Sequence, residues 1–472
     1  MKYGLRFRAI AVLFTLAAVG CNARQQTLPN MNLPFGNASS RVGSSSSNDA
    51  WTMFGYDLNR SGYNPNVTNL TKSNVASLQL KWEASVGDKI FATPVTYGGN
   101  LIIVTEGNWG GSPTNAVAYD LSTTDGHVIW QYSLGRQSKM TPVIDPDAGL
   151  VILGRQSKQS YIIALRLLDG SLVWRTPIKG RPTGAPIVSG GMIYTGRAGG
   201  DPPHCGQGGM SALNESTGTI AWNWNVDPTP HKGGSVWSSI AFDGSNLIFG
   251  TGNTCEEPIT TANGAVSLNL SGQPNWSMVA VKDSRHDSDT GGGVMLQNGL
   301  AEFINKNGNF YALDKSTGNI VWKSDLNQKA SGSNPSGGFA TPSTDGNVIL
   351  EGSGYYKDTR SSGNGEFCML YAAKPTEVQS GFHSKLNAMN TNGKVLWSVT
   401  MQNRLVGDVA LVNGMGFVGL NQTFVALDEN SGQTLWSYPT TDYINSSMIV
   451  VPSGVYGADE AGNVYAFGLP SR

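Results

Sequence analysis

Charge is scarce in this sequence. Only 14% of its 472 residues are Asp, Glu, Lys or Arg, and 32 bases against 33 acids leave a formal charge of −1. A nucleic-acid binder needs a basic surface to displace counterions, so that class is excluded. There are only five His and four Cys. No Cys-x-x-Cys-His occurs, which excludes a covalent c-type haem, and no Cys-x-x-Cys pair is present for zinc. His127, His204, His231, His286 and His383 show no metal-ligand spacing. A Gly-Lys-Ser/Thr phosphate loop and a Gly-x-Ser-x-Gly nucleophile elbow are both missing. Against these scarcities stand 60 Gly, 12 Trp and 39% hydrophobic residues. That is enough apolar surface for a core and excludes global disorder. Gly-rich, Trp-rich and charge-poor chains build short strands joined by tight turns, so the fold class is all-β.

The first segment reads as an address. Lys2, Arg6 and Arg8 precede an apolar run from Ala9 to Val19, broken only by Thr15. The run is shorter than the ~20 residues of a membrane span, and no other stretch approaches that length. Its end, Ala18-Val19-Gly20-Cys21, resembles a bacterial lipoprotein processing site, which would leave Cys21 lipidated; ordinary secretory cleavage is the alternative. Residues 1–20 are therefore expected to be a lipoprotein-type signal peptide. Residues 21–50, polar and with Ser44 to Ser47 consecutive, read as a flexible tether. Residues 51–472 remain as the folded domain.

That domain is periodic. Seven segments place a Trp four residues after a Gly: Gly126/Trp130, Gly170/Trp174, Gly218/Trp222, Gly272/Trp276, Gly318/Trp322, Gly393/Trp397 and Gly432/Trp436. A strand-like run and a polar turn precede most of them, as in Ala312-Leu313-Asp314-Lys315-Ser316-Thr317-Gly318. Asp and Ser/Thr bond back to the turn backbone, and Gly takes the positive φ that a Cβ opposes. Most of these Trp residues fall roughly 40–55 residues apart, a period that indicates propeller blades of four strands. The longest interval holds a Gly/Ser/Asn-rich stretch, Tyr355 to Phe367, which reads as an insertion. Trp82 ends a strand with no partner before it, and Gly462 to Phe467 is a hairpin arm with no Trp strand after it. Pairing these chain ends closes a ring and adds an eighth unit. The expectation is an eight-bladed β-propeller of four-stranded antiparallel blades, whose repeated Trp residues dock blades together.

The pattern A-L-D-x-x-T-G-x-x-x-W resembles the repeat of pyrroloquinoline quinone (PQQ) dehydrogenases and their non-catalytic relatives. Trp51-Thr52-Met53-Phe54-Gly55, Asn64-Pro65, and Ser73-Asn74-Val75 before Trp82 also look like that family's entry segment. The resemblance covers Trp51 to the C-terminus and implies a flat quinone over the propeller axis, bridged by Ca²⁺ to a carboxylate and an amide. On that resemblance, Thr183 in Thr183-Gly184-Ala185-Pro186 matches the Thr that bonds the quinone. Asp201, five residues beyond Gly196, matches the acidic calcium ligand; the alternative is a solvated loop Asp. Asn253 in Gly250-Thr251-Gly252-Asn253 matches the amide ligand. Ser235-Val236-Trp237 resembles the hydroxyl-x-Trp whose indole floors the quinone, and Trp237 stands outside the Gly-plus-four register of the docking Trp residues. Lys306 before Asn307-Gly308 matches the basic residue that polarises quinone oxygens, with a plain turn Lys as the alternative. Lys139 is a weaker match to a second basic contact. His286-Asp287-Ser288-Asp289 resembles the segment bearing the base, which gives Asp289 first and Asp287 next as proton acceptors.

Two departures accompany these matches. No two Cys are adjacent, so the vicinal disulfide of many members is missing, and Phe91 stands where an acidic residue is expected before Ala92-Thr93-Pro94. If one cation holds Asp201 and Asn253, their loops converge and a Cys205–Cys255 disulfide comes within reach. Cys368 reads as a buried apolar thiol. The resemblance thus implies an exported PQQ- and Ca²⁺-dependent dehydrogenase acting on an alcohol or sugar hydroxyl, without its own haem and passing electrons to a separate acceptor. Its alternative is a catalytically silent envelope lipoprotein that binds partner proteins, like the lipoprotein subunit of the outer-membrane barrel-assembly machine.

Overall fold

The computed structural model describes residues 48–107, 115–199, 205–229, 232–255, 260–282, 289–326, 340–356, 382–401 and 407–470. They form eight antiparallel sheets arranged as the blades of a ring, with almost no helix. Numbered along the chain, the blades span 95–133, 143–178, 187–225, 240–279, 295–325, 343–401, 410–439 and 449–468. Each has a short inner strand, such as Val95–Tyr97 in blade one, and ends on an outer strand bearing the repeated Trp. Blade eight takes its outer strand from the other end of the chain. Gln79–Ser85 pairs antiparallel with Asn463–Gly468, Trp82 opposite Ala466. The ring therefore closes through its N- and C-terminal strands. The long Trp interval adds no blade: it falls between the two nine-residue strands Val348–Tyr356 and Phe382–Asn390 of blade six. Residues 357–381, including Cys368, lie outside the described residues, as do residues 1–47 with Cys21.

The Gly and Trp of one hairpin do not touch each other's blade alone. Trp130 packs under Gly170 of the following blade, Trp174 under Gly218, Trp276 under Gly318 and Trp397 under Gly432. Each indole N–H then donates to a turn carbonyl of that next blade: Trp130 to Leu167 at 2.8 Å, Trp174 to Glu215 at 2.7 Å, Trp276 to Lys315 at 2.9 Å. At the seam Trp82 reaches Thr123 of blade one at 2.9 Å, and Trp436 reaches Leu78 at 3.2 Å. Trp322 is the exception, its buried Nε1 having no hydrogen-bond partner among the described residues.

Two devices tie the blades at the axis. The segment from Trp51 to Asn64 crosses the ring and meets inner strands all the way round. Ile144, Phe242, Leu296, Thr344 and Leu411 donate backbone N–H groups to Thr52, Leu58, Asn59, Ser61 and Gly62. Trp51 pairs with Thr96 of blade one, and the Asn64 amide reaches Val450 of blade eight at 2.9 Å. Arg60, wholly enclosed, donates to the carbonyls of Ile240 at 2.6 Å, Pro186 at 3.1 Å and Phe54. Nearer the start of the inner strands runs a belt of hydrogen bonds. Gly293 N–H donates to Thr341 Oγ1 (2.8 Å), Thr341 to Asp408 Oδ1 (2.7 Å) and Asp408 to Ser447 Oγ (2.9 Å). Ser447 then donates to Thr93 Oγ1 (3.4 Å) and Thr93 to Thr141 Oγ1 (3.1 Å). Each bond links the residue two before an inner strand to its counterpart one blade on.

Candidate active site

The belt opens where the sequence withholds the oxygen. Its position is Ala185 in blade three and Gly293 in blade five, neither of which has a side-chain acceptor, while Ser238 in blade four turns its hydroxyl to Gly250 O at 3.2 Å. Above this gap lie the connections leading into blades three, four and five. These carry Thr183, Trp237 and Asp289. The connections between second and third strands of blades four and five lie at the same end and carry Asn253 and Lys306.

Asp289 is the centre of the group. Its Oδ1 accepts the backbone N–H of Asn253 at 2.7 Å, and its Oδ2 accepts the Trp237 indole N–H at 2.9 Å. Lys306 Nζ lies 3.3 Å from the same Oδ2 and 5.1 Å from the centre of the Trp237 ring. The Lys306 backbone also donates to the Asp289 carbonyl at 3.0 Å. Both charged residues are buried, at 7% exposure for Asp289 and 4% for Lys306. Neighbouring Thr290 accepts from the Asn305 amide at 3.1 Å and donates its N–H to Thr251, which sets the start of the Asn253 connection beside the Asp289 segment. Gly252 makes this approach close: a methyl group there would stand 3.0 Å from Asp289 Oδ1 and 3.2 Å from Ser235 Cβ.

The remaining sequence-derived residues take different places. Thr183 belongs beside the cluster, since the adjoining Gly184 packs on the carbonyls of Trp237 and Ser238. Its Oγ1 is buried and has no hydrogen-bond partner among the described residues. Ser235 is buried and spent on the backbone, accepting Gly199 N–H on Oγ at 3.1 Å and Gly252 N–H on its carbonyl at 2.8 Å. Cys205 and Cys255 form a disulfide with Cα atoms 6.2 Å apart. Lys139 serves the neighbourhood of blades one and two: its ammonium pairs with Glu106 at 2.9 Å and lies 5.3 Å from the Phe91 ring centre. Asp201 and Asp287 lie outside the described residues.

One residue was missed in the sequence. Glu106, buried just past the second strand of blade one, hydrogen-bonds by its N–H to Lys89 O and lies across from the Phe91 segment. Its carboxylate and the Phe91 ring both face the Lys139 ammonium. Its only signal was an acid before Gly107 at a strand end.

A carboxylate held by three donors, a cation above an indole face and a buried hydroxyl without a partner among the described residues form a polar lining over a flat aromatic floor. That donor set fits a planar, anionic ligand stacked on Trp237. Among the described residues no group of three or more His, Cys, Asp or Glu is placed to hold a metal.

Comparison with known proteins follows the same lines. Residues 114–289, 261–360 and 379–469 match the PQQ-repeat family model described as outer membrane protein assembly factor BamB. The chain is 26% identical over 220 residues to outer membrane protein assembly factor BamB of Yersinia pestis, covering 43% of this chain and 50% of that protein. It thus spans half the length of that relative. It is 24% identical over 531 residues to lupanine 17-hydroxylase (cytochrome c) of Pseudomonas sp, covering 89% of this chain and 73% of the other. The crystal structure of quinohemoprotein alcohol dehydrogenase from Comamonas testosteroni superposes with a TM-score of 0.70 at 18% identity, over 91% of this chain and 82% of that one. At that identity the likeness is one of fold.

Proposed function

Because the chain belongs to the PQQ-repeat propeller family, we propose that it is an exported quinoprotein-type dehydrogenase that oxidises an alcohol or sugar hydroxyl. The observation that carries this reading is the convergence of Trp237, Asn253 and Lys306 on the single carboxylate of Asp289. When bound, PQQ would supply the two-electron acceptor for the oxidation and Ca²⁺ a Lewis acid. The protein's own residues do the rest. Trp237 offers a flat floor, and its N–H bond to Asp289 fixes the plane of that floor. Lys306 brings positive charge to the anionic ring system. Thr183 holds out a hydroxyl that a stacked ligand satisfies. Asn253 and Asp201 offer amide and carboxylate oxygens suited to a hard cation. Asp289, the carboxylate at the centre of the cluster, is the first candidate to accept the substrate's hydroxyl proton. Asp287 is the second candidate for that step. Lys139, paired with Glu106, is the weaker candidate for a second basic contact to the cofactor.

The relatives' names support an envelope location, with export through residues 1–20 and a lipid on Cys21 as its means. Electrons leave to a separate acceptor, since the chain carries no c-type haem motif. A second reading, an envelope scaffold for protein partners, draws on the assembly-factor function named for the Yersinia relative.

Calorimetric titration of the full chain with PQQ, with and without Ca²⁺, separates the two. The dehydrogenase reading expects Ca²⁺-dependent binding that Trp237→Ala and Asn253→Ala each weaken at least tenfold. No heat at high micromolar PQQ overturns it and leaves the scaffold.

A further inference from the structure

We propose that the Cys205–Cys255 disulfide is a positioning element of the Asp289 cluster, holding residues 253–255 so that the Asn253 N–H stays on Asp289. The inference rests on the reading of this cluster as the cofactor site. The bridge joins two connections 50 residues apart in sequence, one leaving the strand Met192–Arg197 and the other leaving Asn246–Gly250.

Between them runs the segment that leads to Trp237. Gln207 bridges Gly233, Gly233 bridges Thr254, and Ala198 bridges Ser235, so three strips of backbone lie side by side. Their bonds are backbone to backbone: Gly233 N–H to Gly206 O at 3.1 Å, Gly234 N–H to Asn253 O at 2.9 Å, Cys255 N–H to Lys232 O at 2.7 Å. The strips approach this closely because they are glycine. A methyl group on Gly233 would lie 2.8 Å from Cys255 Sγ. Gly199, Gly206, Gly208, Gly233 and Gly234 bring no side chains to interdigitate, so at these positions the strips are held by backbone bonds and by the Ser235 hydroxyl on Gly199 N–H. The disulfide adds a covalent tie.

Its effect reaches the site in two steps. Residues 253–255 carry the donor at 2.7 Å to Asp289 Oδ1, and the other oxygen of the same carboxylate holds the Trp237 N–H at 2.9 Å. With the strip released, the carboxylate loses its Oδ1 anchor and turns about its own bond. The restraint on the Trp237 ring plane then goes with it.

The test uses the full chain with Cys205→Ser and Cys255→Ser together. The readout is the Trp237 part of the near-ultraviolet circular dichroism, taken as the difference between each protein and its Trp237→Phe version. The expected result is loss of at least half of that band, with the rest of the spectrum retained, and PQQ binding in Ca²⁺ weakened at least tenfold. An unchanged Trp237 band overturns the proposal. So does a loss spread over the whole aromatic spectrum, which marks a general staple. If the double variant does not fold, phosphine reduction of the folded parent supplies the same comparison, and reoxidation restores the band. If the parent itself binds no PQQ, the cofactor reading fails, and the Trp237 band alone decides the positioning role.

Discussion

Replacing Gly318 by Ala tests how the blades are held together. Gly318 sits at φ +74, and a methyl group there would lie 2.6 Å from Cδ2 of Trp276 in the preceding blade. Gly299 is its control, at φ +80 with nothing within 4 Å. Both substitutions meet the left-handed penalty of about 1–2 kcal/mol, eased by the stiffer unfolded chain to a net of roughly 1 kcal/mol. Gly318→Ala must also displace an indole that is fixed by its bond to Lys315, and overpacking of that kind costs about 1–3 kcal/mol. At ~2.1 cal/mol/K per residue, a ring of about 420 residues unfolds with an entropy near 0.9 kcal/mol/K. The expected falls in Tm are therefore ~1 °C for Gly299→Ala and roughly 2–4.5 °C for Gly318→Ala. Scanning calorimetry at one pH and scan rate measures both. In a Trp276→Ala background, the Gly318 penalty should shrink to that of Gly299, because the clashing ring is gone. Equal shifts for the two glycines in the parent would refute one-blade docking as the source of the Gly requirement.

Other consequences follow from the axis. Burial pushes the carboxyl of Asp408 up to about 8, against the pull of the Thr341 N–H and Arg60. The folded chain therefore keeps a proton there that the unfolded chain releases near pH 3.8, and Asp408 costs stability progressively as pH rises from about 4 to about 8. Asp408→Asn, which still accepts from Thr341, should match the parent in Tm near pH 4 and exceed it by several degrees, on the order of 6 °C, at pH 8.5; a gap independent of pH would contradict this assignment. Glu351, fully buried and raised further by the Asp408 charge, should ease in the same variant. Arg60→Met leaves three carbonyls at the hub without their donor. A loss of ~3 kcal/mol, or about 3 °C, is expected, and a shift below 1 °C would show that the Trp51–Asn64 segment does not depend on it.

What could be read in the sequence was local. The turn chemistry of Asp314, Thr317 and Gly318 is visible in seven residues, and the structure uses it as read: Asp314 Oδ1 accepts the Thr317 N–H at 2.8 Å. Ring closure was legible because an unpaired strand around Trp82 and an unpaired arm before Phe467 each lack a partner nearby. The offset by which each Gly receives the preceding blade's Trp was not legible, since a Gly-plus-four spacing looks the same whichever blade the ring enters. The site divides along the same line. Trp237 stood out by leaving the docking register and Asp289 by its motif, yet their 2.9 Å bond joins residues 52 positions apart and leaves no trace in spacing. The belt is more instructive still. Thr93, Thr141, Thr341, Asp408 and Ser447 each look like an ordinary polar residue before a strand; only in the ring do they become donors and acceptors in sequence. Ala185 and Gly293 then acquire a meaning that no local reading gives them. They are the two places where the ring omits its oxygen, and the gap they leave is where Thr183, Trp237 and Asp289 gather. A propeller whose blades were all alike would have a closed belt and no such opening. The departures from the repeat, rather than the repeat, place the site.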